Sequence, residues 1–192
     1  MKQKRPSASN RLARECMVTA LIQLLKVKPM SAITVSDLTE KAGVARMTYY
    51  RNYQSKEDIF STHLKDILEE YRSEALSLNP DGHYDDLPNM IHCFQYFKAH
   101  RDFLDCLFEC GLSGLFLTAL EEYILSRWQT DPQDPAEYYT LHAFSGALFN
   151  TYSAWSKRGA VESAEEIARI MSRFFRQDSS PQQLDQSHIT NP

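Results

Sequence analysis

The sequence contains no run of apolar residues approaching the roughly 20 needed to cross a bilayer. Its start, MKQKRPSASN, is basic but lacks the apolar stretch of a secretory signal. A cytoplasmic protein without a membrane role is therefore expected. The four cysteines, Cys16, Cys93, Cys106 and Cys110, include no CxxC pair, and an intracellular chain of this size needs no disulfides to stay folded, so they read as reduced thiols. No strand-like alternation of apolar and polar residues competes with the helical pattern, and no internal repeat is present. GxSxG, HExxH, a Walker loop and a paired-carboxylate arrangement are all missing. No enzyme activity, cofactor or metal is expected, although a helical enzyme with catalytic residues scattered along the chain would leave no such signature.

Positive charge is also scarce overall, since the net charge is −4. Its distribution is uneven: through residue 60 there are eleven Lys or Arg against five Asp or Glu, and in the remainder ten against twenty. Halves of opposite sign imply two jobs, the basic one facing a polyanion. A membrane surface would satisfy the charge, but no basic amphipathic helix with exposed aromatics stands out near the N-terminus, which favours double-stranded DNA. With 43% hydrophobic residues in 192, the chain can bury a sizeable core.

What is present is helical periodicity. Leu12, Cys16, Val18, Ala20, Leu21, Leu24 and Leu25 recur at three- and four-residue spacing over 10–25. Thr34 with Asp37 forms a capping signal for a short helix ending at Gly43, which supplies the left-handed turn before another short helix over 46–52. Ser55 with Asp58 caps a long helix to about residue 77, ended by Asn79-Pro80-Asp81-Gly82. Helices follow near 86–99, 101–110, 112–128, 136–157 and 163–176, the last opened by the capping box Ser163-Ala164-Glu165-Glu166. The expected fold is all-α. Residues 1–54 form a three-helix helix-turn-helix DNA-binding domain, and 55–176 a larger helical bundle for dimerisation and ligand sensing. Residues 177–192, rich in Gln, Ser, Asp and Pro, form a disordered tail.

Residues 33–60 carry the functional signal. Two short helices joined by a Gly-containing turn let the second lie in a major groove while the first crosses the phosphate backbone. Arg46, Thr48, Tyr49 and Tyr50 give that second helix donors and planar rings. Thr34 and Ser55 precede helix N-termini, where free N–H groups favour a phosphate, and Lys56 adds a positive charge. The set Thr34, Val35, Leu38, Ala42, Gly43, Val44, Thr48, Tyr49, Tyr50, Ser55, Lys56, Glu57 and Ile59 resembles the helix-turn-helix pattern of the TetR family of regulators, specifically so over about 10–60. The resemblance implies phosphate contacts by Thr34, Tyr50 and Lys56, and base or groove contacts by Arg46, Met47, Thr48 and Tyr49, with Tyr53 counted in the same surface. It also implies a homodimer on a palindromic operator. The sequence departs from the pattern at Ala45, where a Ser usually caps the recognition helix, at Met47, at Tyr53 in place of Phe, and at Lys28-Pro29 in place of a Gly.

Beyond residue 80 aromatics crowd the chain. Most are expected to be core, but the resemblance favours a pocket for a small apolar or aromatic ligand, with Phe94, Phe97, Leu107, Phe108, Cys110, Phe144 and Tyr152 as its lining. His92, Gln95, His142 and Asn150 are further polar candidates. The last two helices have apolar faces broader than one domain needs, so Leu148, Trp155, Ile167, Ile170, Met171 and Phe174 are expected at a four-helix dimer interface. Cys106 and Cys110, four apart, are structural on the simplest view, with a soft metal site or thiol switch as the alternative. The leading function is a ligand-responsive repressor. An activator, or a DNA-binding protein tuned by a protein partner and lacking a pocket, is the alternative.

Overall fold

The computed structural model describes residues 8–176. The expected tail at 177–192 lies outside the described residues. Within them the chain is all-helical: α1 (Ala8–Leu25), a short 3-10 turn (Met30–Ala32), α2 (Val35–Ala42), α3 (Arg46–Asn52), α4 (Glu57–Leu78), α5 (Leu87–Ala99), α6 (Arg101–Glu109), α7 (Ser113–Trp128), α8 (Pro135–Lys157) and α9 (Ala164–Arg176).

Local chemistry sets the boundaries. At α2, Thr34 Oγ1 accepts from Asp37 N (3.1 Å) while Asp37 Oδ2 accepts from Thr34 N (2.8 Å), a full capping box. The helix stops at Gly43, whose φ of 66° lies in the left-handed region that glycine enters without a Cβ penalty. The α4 start is fixed in the same way, Ser55 Oγ accepting from Asp58 N at 3.1 Å and Asp58 Oδ2 from Gln54 N at 3.1 Å. At α9, Ser163 Oγ accepts from Glu166 N at 3.1 Å and Glu166 Oε2 from Ser163 N at 2.7 Å.

The 22 residues of α4 make it about 33 Å long at 1.5 Å per residue, and it packs on α1, α5 and α7. Its first turns bury Ile59 and Phe60 in the same core cluster as Met17, Leu38 and Tyr49, with Phe60 also 5.7 Å ring to ring from Phe103 of α6. Further along it buries Leu64, Ile67, Leu68 and Tyr71 against the bundle. The apolar core is thus one continuous cluster from Met17 and Leu21 through α4 to Leu148 and Trp155. Arg14 pairs with Asp66 (2.5 Å) and Arg11 with Glu70 (2.8 Å), fastening α1 along α4.

In the bundle α5 packs on α9 and α7 on α8. Two tyrosines anchor their hydroxyls on buried carbonyls, Tyr96 on Ile67 O (2.8 Å) and Tyr152 on Phe97 O (3.0 Å), as aromatic hydroxyls do when their rings are buried. The α8–α9 corner contains Ala160, the one described non-glycine with positive φ (50°). The corner is held by Lys98 Nζ donating to Ala160 O (3.1 Å), Arg101 Nη1 to Gly159 O (3.1 Å), Arg101 Nη2 to Ser156 O (2.9 Å) and Trp155 Nε1 to Glu162 O (3.1 Å).

The expected pocket residues are packed rather than hollowed. Phe94 meets Trp155 at 5.7 Å, Phe97 meets Phe116 at 4.9 Å, Phe108 meets Phe149 at 5.9 Å, and Phe144 lies between Tyr84 (4.8 Å) and Phe175 (5.0 Å). Leu107 and Tyr152 are buried, Cys110 half-buried. Of these only Phe144 lines the interior void bordered by Tyr71, Tyr123 and Trp128, whose volume is about 20 Å³, room for about one water. Interlocking rings at helical spacing fill the space that the sequence left open for a ligand. Gln95 and Asn150 face outward, His92 stacks on Tyr71, and His142 Nδ1 lies 2.8 Å from Tyr138 O.

The expected interface set also divides. Leu148, Trp155 and Met171 are buried within the protomer, Ile167 is half-buried, and Ile170 (61%) and Phe174 (69%) are exposed. The first three therefore correct to core positions: they lie on the inward side of helices whose apolar residues wrap around more than one face.

Candidate nucleic-acid interface

The helix-turn-helix is built so that α3 turns one side in and the other out. Residues four apart share a helical face, and Tyr49 and Tyr53, both 3% exposed, fill the seam under α3 with rings 5.8 Å apart. Burial pushes the Tyr49 phenol up and that of Tyr53 up to about 12, the latter opposed by the positive charge of Arg14. These two therefore correct from DNA-contacting residues to core. A side chain left 3% exposed offers almost no surface to a base edge.

The outward side carries Arg46, Met47 (75% exposed), Tyr50 (62% exposed) and Arg51. Thr48 is half-buried at its margin. Among the described residues neither Arg46 nor Arg51 is paired with a carboxylate, so both guanidinium groups are available to phosphates or guanines. Arg51, not among the expected contact residues, lies one residue after Tyr50 on the side away from Tyr49 and Tyr53 and is likewise exposed. It also donates to Asn10 Oδ1 at 3.3 Å. Asn10 and Asn52 exchange amide bonds of 3.0 Å each, tying the start of α1 to the end of α3. The recognition helix is thereby fixed at both its inner face and its C-terminus.

Ala45 precedes α3 without a side-chain cap, as its methyl dictates. Thr34 is exposed at the start of α2 but spends its hydroxyl as an acceptor for Asp37 N. Beside it Lys28 Nζ lies 2.6 Å from Asp37 Oδ2, and this bond, helped by those from Thr34, holds the Asp37 carboxyl down at about 2.

Lys56 differs most from its expected role. Its ammonium donates to Met30 O (2.5 Å) and Ile33 O (2.7 Å), the carbonyls flanking the 3-10 turn. Met30 O already accepts from Ile33 N at 3.2 Å, and the half-buried ammonium from the start of α4 adds a second donor there and a donor to Ile33 O. Lys56 thus ties α4 to the segment before α2, with two of its three donors committed inside the protein.

Among the described residues no helix is long and apolar enough to cross a membrane, and no group of three His, Cys, Asp or Glu is arranged to hold a metal. All four cysteines are free. Burial raises Cys106 and Cys93 to about 12 and raises Cys110 as well, the opposite of what a reactive thiolate needs.

A helix-turn-helix on the end of an all-helical bundle, with a basic, partly aromatic recognition face, defines a DNA-binding transcription regulator. The sequence model described as bacterial regulatory proteins of the tetR family matches residues 17–62, and one described as a transcriptional regulator C-terminal region matches 85–177. The chain belongs to the TetR family of transcriptional regulators. It is similar to the HTH-type transcriptional regulator AlkX of Mycobacterium tuberculosis, with 31% identity over 81 residues, which span 41% of this chain and 38% of that protein. Among solved structures it resembles the fatty acid degradation regulator FadR from Bacillus halodurans (TM-score 0.61, 13% identity, covering 89% of this chain and 96% of that one). It likewise resembles the dihydroxyacetone kinase operon activator DhaS (TM-score 0.59, 16% identity, covering 86% and 95%). At these identities the structural likeness is one of fold.

Proposed function

We propose that the protein is a ligand-responsive repressor that binds a palindromic operator as a homodimer in the cytoplasm, with residues 1–54 as the DNA-binding module and 55–176 as the regulatory and dimerisation module. The observation that carries the reading is the outward face of α3, where Arg46, Met47, Tyr50 and Arg51 are exposed while Tyr49 and Tyr53 brace the helix from behind. In a two-fold assembly two such helices would enter successive major grooves about 34–36 Å apart. Ile170 and Phe174, exposed on α9, supply apolar surface for pairing, since large hydrophobics clustered on an outer face mark an interaction surface.

The test is anisotropy of a labelled duplex from the protein's own upstream region, across a salt series. Specific binding whose log K falls steeply with log salt, as phosphate neutralisation requires, is the expected result. Binding no tighter than to random duplex would sink the reading, and a monomer in sedimentation at micromolar concentration would remove the dimer.

A second reading, an activator or a regulator tuned by a protein partner, draws on the packed interior, where the void near Tyr71 and Trp128 is only about 20 Å³. The named activator among the structures of like fold is consistent with it, as the fatty acid regulator is with the first. Reporter expression in a deletion strain separates them: it rises if the protein represses and falls if it activates.

A further inference from the structure

The aromatic interior is closed, but a groove of about 380 Å³ runs along the outside of the bundle between α4 and α7. That volume is in the range of small-molecule sites, roughly 300–1,000 Å³. None of its lining residues borders the void near Tyr71 and Trp128. Its floor is aliphatic. Leu64 and Leu68 of α4 are buried beneath it, and Leu115 and Ala119 of α7 form the facing wall. No aromatic residue lines it, so a planar ring would find nothing to stack on. A saturated chain would find continuous methyl and methylene surface. From Ser61 to Arg72 the α4 side of the groove extends for about 16 Å at 1.5 Å per residue, enough for a medium-length acyl chain.

Arg72 sets the polarity of one end. Its guanidinium carbon lies 5.7 Å from the centroid of the Tyr123 ring, and its Nε is buried without an acceptor. Among the described residues no carboxylate is within ion-pairing distance of Arg72 or of Lys65, two turns earlier on the same face. Arg72 lines the groove with its charge uncommitted to any described carboxylate, so an anionic head entering there gains charge-assisted hydrogen bonds that no protein carboxylate already takes. Glu69 and Glu122 on the rim would repel a second negative charge, which favours a ligand with one compact anionic head over a polyanion.

We propose that the α4–α7 groove binds a single-chain anionic amphiphile, its chain on Leu64, Leu68, Leu115 and Ala119 and its head on Arg72. The proposal rests on the ligand-responsive reading above and gives that ligand a place and a chemical class. A chain wedged between α4 and α7 bears on the same helix that packs on α1 and whose Ile59 and Phe60 join the core cluster of Leu38 and Tyr49. Occupancy is thereby coupled to the attitude of α3.

The experiment titrates the full-length protein by calorimetry with dodecanoate, dodecyl phosphate and dodecanol, each below its micellar concentration. The same additions are made to the protein–operator complex in an anisotropy assay. Dodecanoate or dodecyl phosphate is expected to bind, the tighter of the two identifying a carboxylate or a phosphate head, and dodecanol to bind at least about tenfold more weakly. Arg72→Gln is expected to weaken anion binding about tenfold or more. Ala119→Phe, which fills the groove, is expected to abolish binding while the thermal midpoint and secondary structure are retained. If neither anion binds, if dodecanol binds equally well, or if both variants bind like the parent, the proposal is overturned. Operator binding without added amphiphile is read separately. If it is intact but no anion binds, only the groove assignment falls; if it is absent, the regulator reading falls and calorimetry still decides the groove.

Discussion

In α3 Tyr49, with Tyr53 just past the helix end, faces inward while the cations beside them face out, so a seven-residue helix is held by one buried side. Across α5, α7 and α8 the aromatics face one another: Phe94 against Trp155, and Phe97 against both Phe116 and Tyr152. The N-terminal region is therefore organised by caps, a glycine turn and side chains that satisfy backbone groups, the bundle by interlocked rings. The difference teaches where function can reside. A short helix braced from behind presents a fixed outer face, whereas a filled aromatic interior leaves room for a ligand only at its periphery.

That contrast can be broken or sharpened by substitution. The largest effect is expected at Phe97→Ala in the ring cluster, a loss of about 3–5 kcal/mol in urea-induced unfolding. A value near 1 kcal/mol would mean that the interior yields easily and could open for a ligand. Arg46→Ala is expected to do the reverse, weakening operator binding by about 1–3 kcal/mol while the unfolding midpoint stays put. A fall in the midpoint instead would place Arg46 in the fold rather than on its outer face.

Lys56→Met tests the boundary between the two kinds of residue. If its bonds to Met30 O and Ile33 O define its role, stability drops by about 1–2 kcal/mol and the salt slope of DNA binding hardly changes. A slope reduced by about one with unchanged stability would mark a phosphate contact instead.

The smallest effect concerns pH. Asp37 is held at about 2, chiefly by Lys28 and then by Thr34, below its ordinary value near 3.9. The native state thus binds the proton less readily than the unfolded chain. The associated stability is present above pH 4 and is lost as the pH falls toward 2. Asp37→Asn is expected to flatten the acid limb of the unfolding curve slightly, and an identical acid limb would show that the pair contributes nothing.

Much of the helical layout could be read from the residues, because the punctuation is chemical and local. Thr34 with Asp37, Gly43, Ser55 with Asp58, and Ser163 with Glu166 act within one turn of where they occur. Facing was harder. Tyr49 and Tyr50 are equally plausible DNA ligands by type, and only the i, i+4 spacing of Tyr49 with Tyr53 marks the inward pair. In the same way α9 distributes apolar residues around most of its circumference. Ala164, Ala168 and Met171 pack inward, leaving Ile170 and Phe174 outside, so composition alone assigned both faces to a partner. The role of Lys56 depends on carbonyls more than twenty residues away. Nor could the α4–α7 groove be anticipated, because it arises from two helices separated by the whole of α5 and α6.

The α8–α9 corner has its own consequence. An alanine in the left-handed region costs about 1–2 kcal/mol, and here it is retained by side chains that reach across from Lys98 and Arg101 at the α5–α6 junction. The direction in which α9 leaves α8 is thus dictated from another part of the molecule. Any quaternary geometry built on Ile170 and Phe174 would inherit that dictation, so a mutation at residue 98 or 101 could alter half-site spacing on DNA without touching either the assembly surface or the recognition helix.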